Sequence, residues 1–136
     1  MDKQLVAAKL ESLRLAIARV RARTPVSVAA LAADVDAQDI VSLNLQRAVQ
    51  LCVDIAYHLG AAADAAEPET MAGAFTTMRE AGIIDEVLAE TMRRAVGFRN
   101  IAVHQYEKMD WQIVFDVATK RIADLEAFAR AVAARL

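Results

Sequence analysis

Between Arg99 and Tyr106 the chain gathers a guanidinium, an amide, an imidazole and a phenol within eight residues: Arg99, Asn100, His104 and Tyr106. A guanidinium presents a fixed fork of donors that matches phosphate oxygens, and an imidazole moves protons near neutral pH. That combination points to chemistry on a phosphodiester. The chain has two histidines, and the other, His58, keeps no such company. The same residue types also suit a polar helix end that tolerates one histidine, and on residue types alone both readings stand.

Helical geometry limits what the stretch can do within one chain. On a helix Asn100 and His104 share a face, four apart, and Arg99 and Tyr106 lie near one another, seven apart. Arg99 and His104 are five apart, which turns them ~140° about the axis. A straight helix therefore splays the two groups that phosphodiester chemistry wants together. The helix ends or deforms before His104, a second copy of the chain supplies the missing groups across an interface, or, as expected here, both occur together.

The scaffold that must position these groups reads as all-α. The 136 residues are 57% hydrophobic, with four glycines and two prolines, and alanine, leucine, arginine and glutamate favour helices. Residues 1–136 fit one domain with a core that needs no disulfide. Cys52 is the single cysteine and has no intrachain mate, and the chain has too few cysteines and histidines for a zinc cluster of usual spacing. No metal and no cofactor is expected. The start, Met1-Asp2-Lys3-Gln4, lacks a basic segment followed by an apolar run, so it does not read as a secretory signal. No apolar stretch approaches the ~20 residues of a membrane helix. A cytoplasmic protein is expected. The net charge is −2, not the basic excess of a general nucleic-acid binder, so any RNA site must rest on local charge.

Taken in order, Val6, Leu10, Leu13, Ile17 and Val20 give a first helix over 2–23, stopped by Thr24-Pro25. Its Arg14, Arg19, Arg21 and Arg23 complement the C-terminal dipole or form a basic patch. Residues 25–36 read as a connector. Val41, Leu45, Ala48, Cys52, Ile55 and Leu59 predict a second helix over 37–59 that ends at Gly60. There Cys52 reads as an inert buried thiol. Asn44, Arg47, Leu51, Asp54 and His58 form a second, mostly polar stripe, either a solvated face or the lining of a cleft or dimer seam.

Pro68 opens a short helix to Glu80 carrying Met71, Phe75 and Met78, with a glycine stop at Gly82. Asp85 caps a fourth helix, with Leu88, Met92 and Ala95 inward. Arg93, Arg94, Arg99 and Lys108 make a basic cluster on or near it. Asp110 caps a last helix towards Leu136, with Phe115, Ala118, Ile122, Leu125, Ala129 and Val132 as its core stripe. Four long helices and one short one make a helical bundle.

The segment Gly97-Phe98-Arg99-Asn100-Ile101-Ala102-Val103-His104-Gln105-Tyr106 resembles the signature of HEPN-domain ribonucleases. Within these it is similar to the HepT toxin branch, whose pattern is Arg, four residues, His, one residue, Tyr. Asn44-Leu45-Gln46-Arg47, Asp54-Ile55-Ala56, Phe75 and Val96-Gly97 resemble the family as well, so the likeness spans residues 37–128. The resemblance implies a HEPN-type bundle that dimerises, joins two Arg/His motifs in one cleft and cleaves RNA without a metal. It also implies an antitoxin, a nucleotidyltransferase of the MNT type, that transfers AMP onto the motif tyrosine.

Residue by residue, Arg99 and His104 would be catalytic, Tyr106 the modified group and Asn100 a supporting side chain. Asp54 and Arg47 would support the cleft from the second helix or form a structural salt bridge. His58 reads as a surface or helix-end histidine, and Trp111 as packing beside the last helix. Gln105 stands where family members often carry an acid, at a variable position. The competing reading is a non-catalytic helical module that binds a nucleotidyltransferase or presents its substrate. Helical folds host many functions, and the intact Arg99/His104/Tyr106 set favours the nuclease.

Overall fold

Every α-helix but the last begins where a short polar side chain occupies a free backbone N–H. A computed structural model describes residues 1–136, and it is helical throughout with no strand. Helix α1 covers Lys3–Arg23, where the Asp2 carboxylate accepts from the Leu5 N–H at 3.0 Å. Asp34 caps α3 (Val35–Ala62), Thr70 caps α4 (Met71–Glu80), Asp85 caps α5 (Glu86–His104) and Asp110 caps α6 (Trp111–Asp116). A 3-10 turn, Tyr106–Lys108, joins α5 to α6. A π-helical segment, Val117–Arg121, leads from α6 into α7 (Ile122–Ala133). No helix is long and apolar enough to cross a membrane.

Several expectations need correction. The stretch expected as a connector contains α2, Val28–Ala32, because the Ser27 hydroxyl caps the Ala30 N–H at 3.1 Å and Leu31 drops fully into the core. Helix α3 does not stop at Gly60. That glycine lies inside the helix, where a Cβ would meet Thr77 Cγ2 of α4 at 3.1 Å, so its bareness serves a close helix approach. The glycine stop at Gly82 does hold, with φ +75°, a left-handed conformation that favours glycine.

The last helix is not uniformly α. Its buried residues Val114, Ala118 and Ile122 follow each other at two successive fours. In an α-helix those steps drift around the axis, and the wider π turn keeps all three inward. In that stripe Val114 and Phe128 are buried where Phe115 and Ala129 were expected.

The core is one cluster of 31 buried residues. Helix α3 runs through its middle, and Val41, Leu45, Ala48, Cys52, Ile55 and Leu59 are all buried. Helix α1 contributes Val6, Leu13, Ile17 and Val20. Phe75 of α4 meets Phe128 of α7 edge-on, with centroids 5.5 Å apart and an interplanar angle of 82°, the arrangement that ring quadrupoles favour. On α5 the buried residues are Ala89, Met92, Val96, Phe98 and Ala102, one position round from the expected Leu88 and Ala95. The opposite strip therefore faces solvent, and it ends on His104.

Candidate active site

Helix α5 carries Arg99 and His104 on one uninterrupted α-helix, and His104 is its final residue. The helix neither ends nor deforms before the histidine, which removes the first of the two ways to bring the groups together. His104 is exposed and Arg99 is half-buried, and they keep the ~140° separation that five α-helical residues impose. The Arg99 Nη1 donates to the Asn100 Oδ1 at 3.3 Å, and its Nε is buried with no partner.

The charges around Arg99 set it apart. Arg93 is held by Glu86 at 2.6 Å and Glu90 at 2.9 Å, and Arg94 by Glu90 at 3.3 Å. Those carboxylates neutralise half of the basic cluster expected along α5. Arg99 pairs with no carboxylate, so it is the one arginine of α5 whose charge stays available to an incoming anion. On α1, Arg14 is likewise occupied by Glu11, and Arg21 grips Glu126 of α7 through two bonds of 2.6 and 2.5 Å. The Arg21–Glu126 pair lowers the carboxyl's pKa by hydrogen bonding and ties α1 to α7.

Tyr106 is not on α5. Gln105 turns the chain out of the helix, and Tyr106 opens the 3-10 turn. Its hydroxyl donates to the Asp39 Oδ1 of α3, and its ring meets Trp111 edge-on at 5.9 Å. Burial of the phenol, then the adjoining Asp39 carboxylate, pushes its pKa up to about 12 against an opposing effect of Ser42. The phenol, neutral at neutral pH in any case, is made still harder to ionise. Asp39, Ser42, Leu43 and Gln46 form with Tyr106 an open depression. No hydrogen bond links Arg99, His104 and Tyr106 to one another.

The remaining sequence candidates lie elsewhere on the chain. Asp54 pairs with Lys9 at 3.7 Å and accepts from Gln50 at 2.9 Å. With Arg47 it lines a groove between α1 and α3, and neither side chain bonds to Arg99, Asn100, His104 or Tyr106. His58 accepts from the Asp2 N–H at 3.1 Å and fastens the start of α1. Of the polar stripe of α3, Asp54 and His58 thus tie the helix to α1. Cys52 is fully buried, and burial pushes its thiol pKa well up. No group of three or more His, Cys, Asp and Glu side chains converges as a metal site would require.

Sequence reasoning passed over Asp39. A usable signal was present, since Asp39, Ser42 and Gln46 fall three and four apart on one polar strip of α3. Nothing local connects that strip to Tyr106, which lies 67 positions along the chain.

The model of the Ribonuclease HepT-like family matches residues 13–132. The chain belongs to the HepT-like ribonuclease family. It is 36% identical over 95 residues to the mRNA nuclease HepT of Shewanella oneidensis, an alignment covering 70% of this chain and 71% of that one. Its fold matches a toxin–antitoxin structure with AMP-PNP at TM-score 0.91 and 28% identity, covering 97% of this chain and 99% of the other. It also matches the tri-AMPylated Shewanella oneidensis HEPN toxin in complex with MNT antitoxin. There the TM-score is 0.90 at 29% identity, over 98% of this chain and 99% of that toxin. The HEPN-type all-α bundle expected from the sequence is the fold observed.

Proposed function

We propose that this chain is the toxin of a toxin–antitoxin pair, a cytoplasmic endoribonuclease that works as a homodimer without a metal, with residues 1–136 acting as one domain. The observation that carries this reading is the form of α5. It ends on an exposed His104, holds an acid-free Arg99 out of line with it, and presents an exposed strip that runs up to the histidine. That strip runs Arg94, Gly97, Ile101, His104 at spacings of three, four and three. Space above Gly97 is open, and Ile101 is 50% exposed. An exposed isoleucine and an open glycine beside a half-complete site suit close approach by a second copy of the chain.

In the dimer, two Arg99 and two His104 share one cleft. One His104 takes the proton of a ribose 2′-OH, and that oxygen attacks the adjacent phosphorus. The 5′-oxygen leaves with a proton from the second copy's histidine, giving a cyclic phosphate and a free 5′-hydroxyl. Arg99 stabilises charge that gathers on the phosphoryl oxygens, and partial burial strengthens that interaction. Asn100, bonded to Arg99, holds the guanidinium in place. The need for a 2′-OH makes RNA the substrate.

An MNT-type nucleotidyltransferase serves as antitoxin by moving AMP onto Tyr106. The transferred group puts bulk and negative charge two residues from His104, where it obstructs RNA. The likeness to an AMPylated toxin bound to an MNT antitoxin supports this partner.

The test is His104→Ala beside the unaltered protein, assayed for RNA cleavage in EDTA and for growth arrest. Cleavage should fall by at least ~10²-fold, the lower end of what general acid–base groups contribute. Equal cleavage by both proteins, or loss of wild-type cleavage in EDTA, would remove this mechanism.

A further inference from the structure

The depression between α3 and the 3-10 turn has one ionisable group besides the phenol, Asp39. Its other lining side chains, Ser42, Leu43 and Gln46, are neutral, and so is Trp111, which meets the ring from α6. Asp39 takes part in no salt bridge and its side-chain bond is to the Tyr106 hydroxyl. It does not cap α3, since Asp34 does so. A charged carboxylate with no cation, aimed at a phenol in an open depression, has no structural task beyond that phenol.

We propose that Asp39 is the proton acceptor for AMP transfer onto Tyr106, so that this chain supplies the base for its own neutralisation. The proposal rests on Tyr106 being the AMP acceptor. In the step, the Tyr106 oxygen attacks the α-phosphorus of a nucleoside triphosphate held by the partner enzyme. The phenolic proton passes to the Asp39 carboxylate, the bond from the α-phosphorus to its bridging oxygen breaks, and pyrophosphate leaves. The product is a tyrosyl phosphodiester beside a protonated Asp39, which returns its proton to water.

A phenol is neutral at neutral pH, and burial with Asp39 beside it pushes ionisation further up, so no phenolate waits for the nucleotide. The proton must therefore leave as the new bond forms, and the carboxylate already accepts it in a hydrogen bond. An aspartate accepting a substrate hydroxyl proton is the arrangement that protein kinases use in phosphoryl transfer.

Asp39→Asn separates this role from simple anchoring. The amide oxygen still accepts the phenol's hydrogen bond, but it takes no proton. The experiment follows AMP incorporation at Tyr106 by mass spectrometry, using the full chain, the MNT-type nucleotidyltransferase and ATP across a range of pH. Asp39→Asn should slow transfer at neutral pH by about 10²-fold, recover as pH rises towards phenol ionisation, and still cleave RNA. Asp39→Glu should restore much of the rate. Transfer by Asp39→Asn that matches the unaltered protein in rate and pH profile would overturn the proposal. A slowed Asp39→Asn that shows no recovery at high pH, or no rescue by Asp39→Glu, would assign Asp39 to anchoring alone and overturn it too. Absence of AMP on Tyr106 in the unaltered protein would instead overturn the reading of Tyr106 on which the proposal stands.

Discussion

Replacing Ile101 with aspartate should split the dimer and silence the nuclease while the chain stays folded. Ile101 is 50% exposed on the α5 strip that ends at His104. Full burial of an isoleucine is worth ~1.5–3 kcal/mol, so covering the half that remains exposed contributes about 1 kcal/mol per chain. A two-fold interface presents every residue twice, which makes the loss about 2 kcal/mol, or about 30-fold in the dissociation constant. Carboxylates brought face to face across the axis add repulsion, so about 30-fold is a lower bound. The fold itself loses the half of the side chain already buried, about 1 kcal/mol by the same arithmetic, which leaves a domain of ordinary stability folded, and aspartate and isoleucine differ little in helix propensity.

Sedimentation velocity over a concentration series gives the dimer fraction, and RNA cleavage is measured at the same concentrations. Activity should follow the dimer fraction, and high concentration should restore both. An Ile101→Asp protein that dimerises with an unchanged constant would refute the placement of the interface. A fully active monomer would refute the argument that Arg99 and His104 of one chain form half a site.

Tyr106→Phe should leave RNA cleavage intact and abolish AMP incorporation, which makes a toxin that its antitoxin cannot neutralise; continued incorporation at another residue would break the switch. The same variant checks the phenol's environment by pH. Its pKa is raised from 10.0 to about 12, so the folded state holds the proton more tightly, and the stability this contributes is complete below pH 10 and lost as pH rises through 12. Between those values the unaltered protein should lose thermal stability more steeply than Tyr106→Phe. In the core, Phe75→Ala removes a fully buried ring stacked edge-on against Phe128 and should cost ~3–5 kcal/mol in denaturant unfolding; a loss under ~1 kcal/mol would show that α4 and α7 are not packed as described.

Much of this protein was legible in its sequence. Stripes at spacings of three and four fixed the long helices, because only one face of each can be buried. Asp85 and Asp110 announced the helix starts they cap, and the types of Arg99, His104 and Tyr106 pointed to the chemistry proposed for them. The pattern Arg, four residues, His, one residue, Tyr carried the family. Local pattern was silent wherever an effect depended on a partner distant along the chain. The stripe of Arg47, Asp54 and His58 gave no sign that Lys9 would pair with Asp54 or that His58 would hold the Asp2 N–H. The basic cluster on α5 lost Arg93 and Arg94 to Glu86 and Glu90, which left Arg99 distinct.

Tertiary structure alone decided where the tyrosine goes. Gln105 ends α5, so Tyr106 does not continue the helix but reaches α3, where Asp39 receives it. Side-chain spacing dictates which residues of one helix share a face. Which faces then meet, and so which carboxylate waits beside which phenol, is settled when the helices pack.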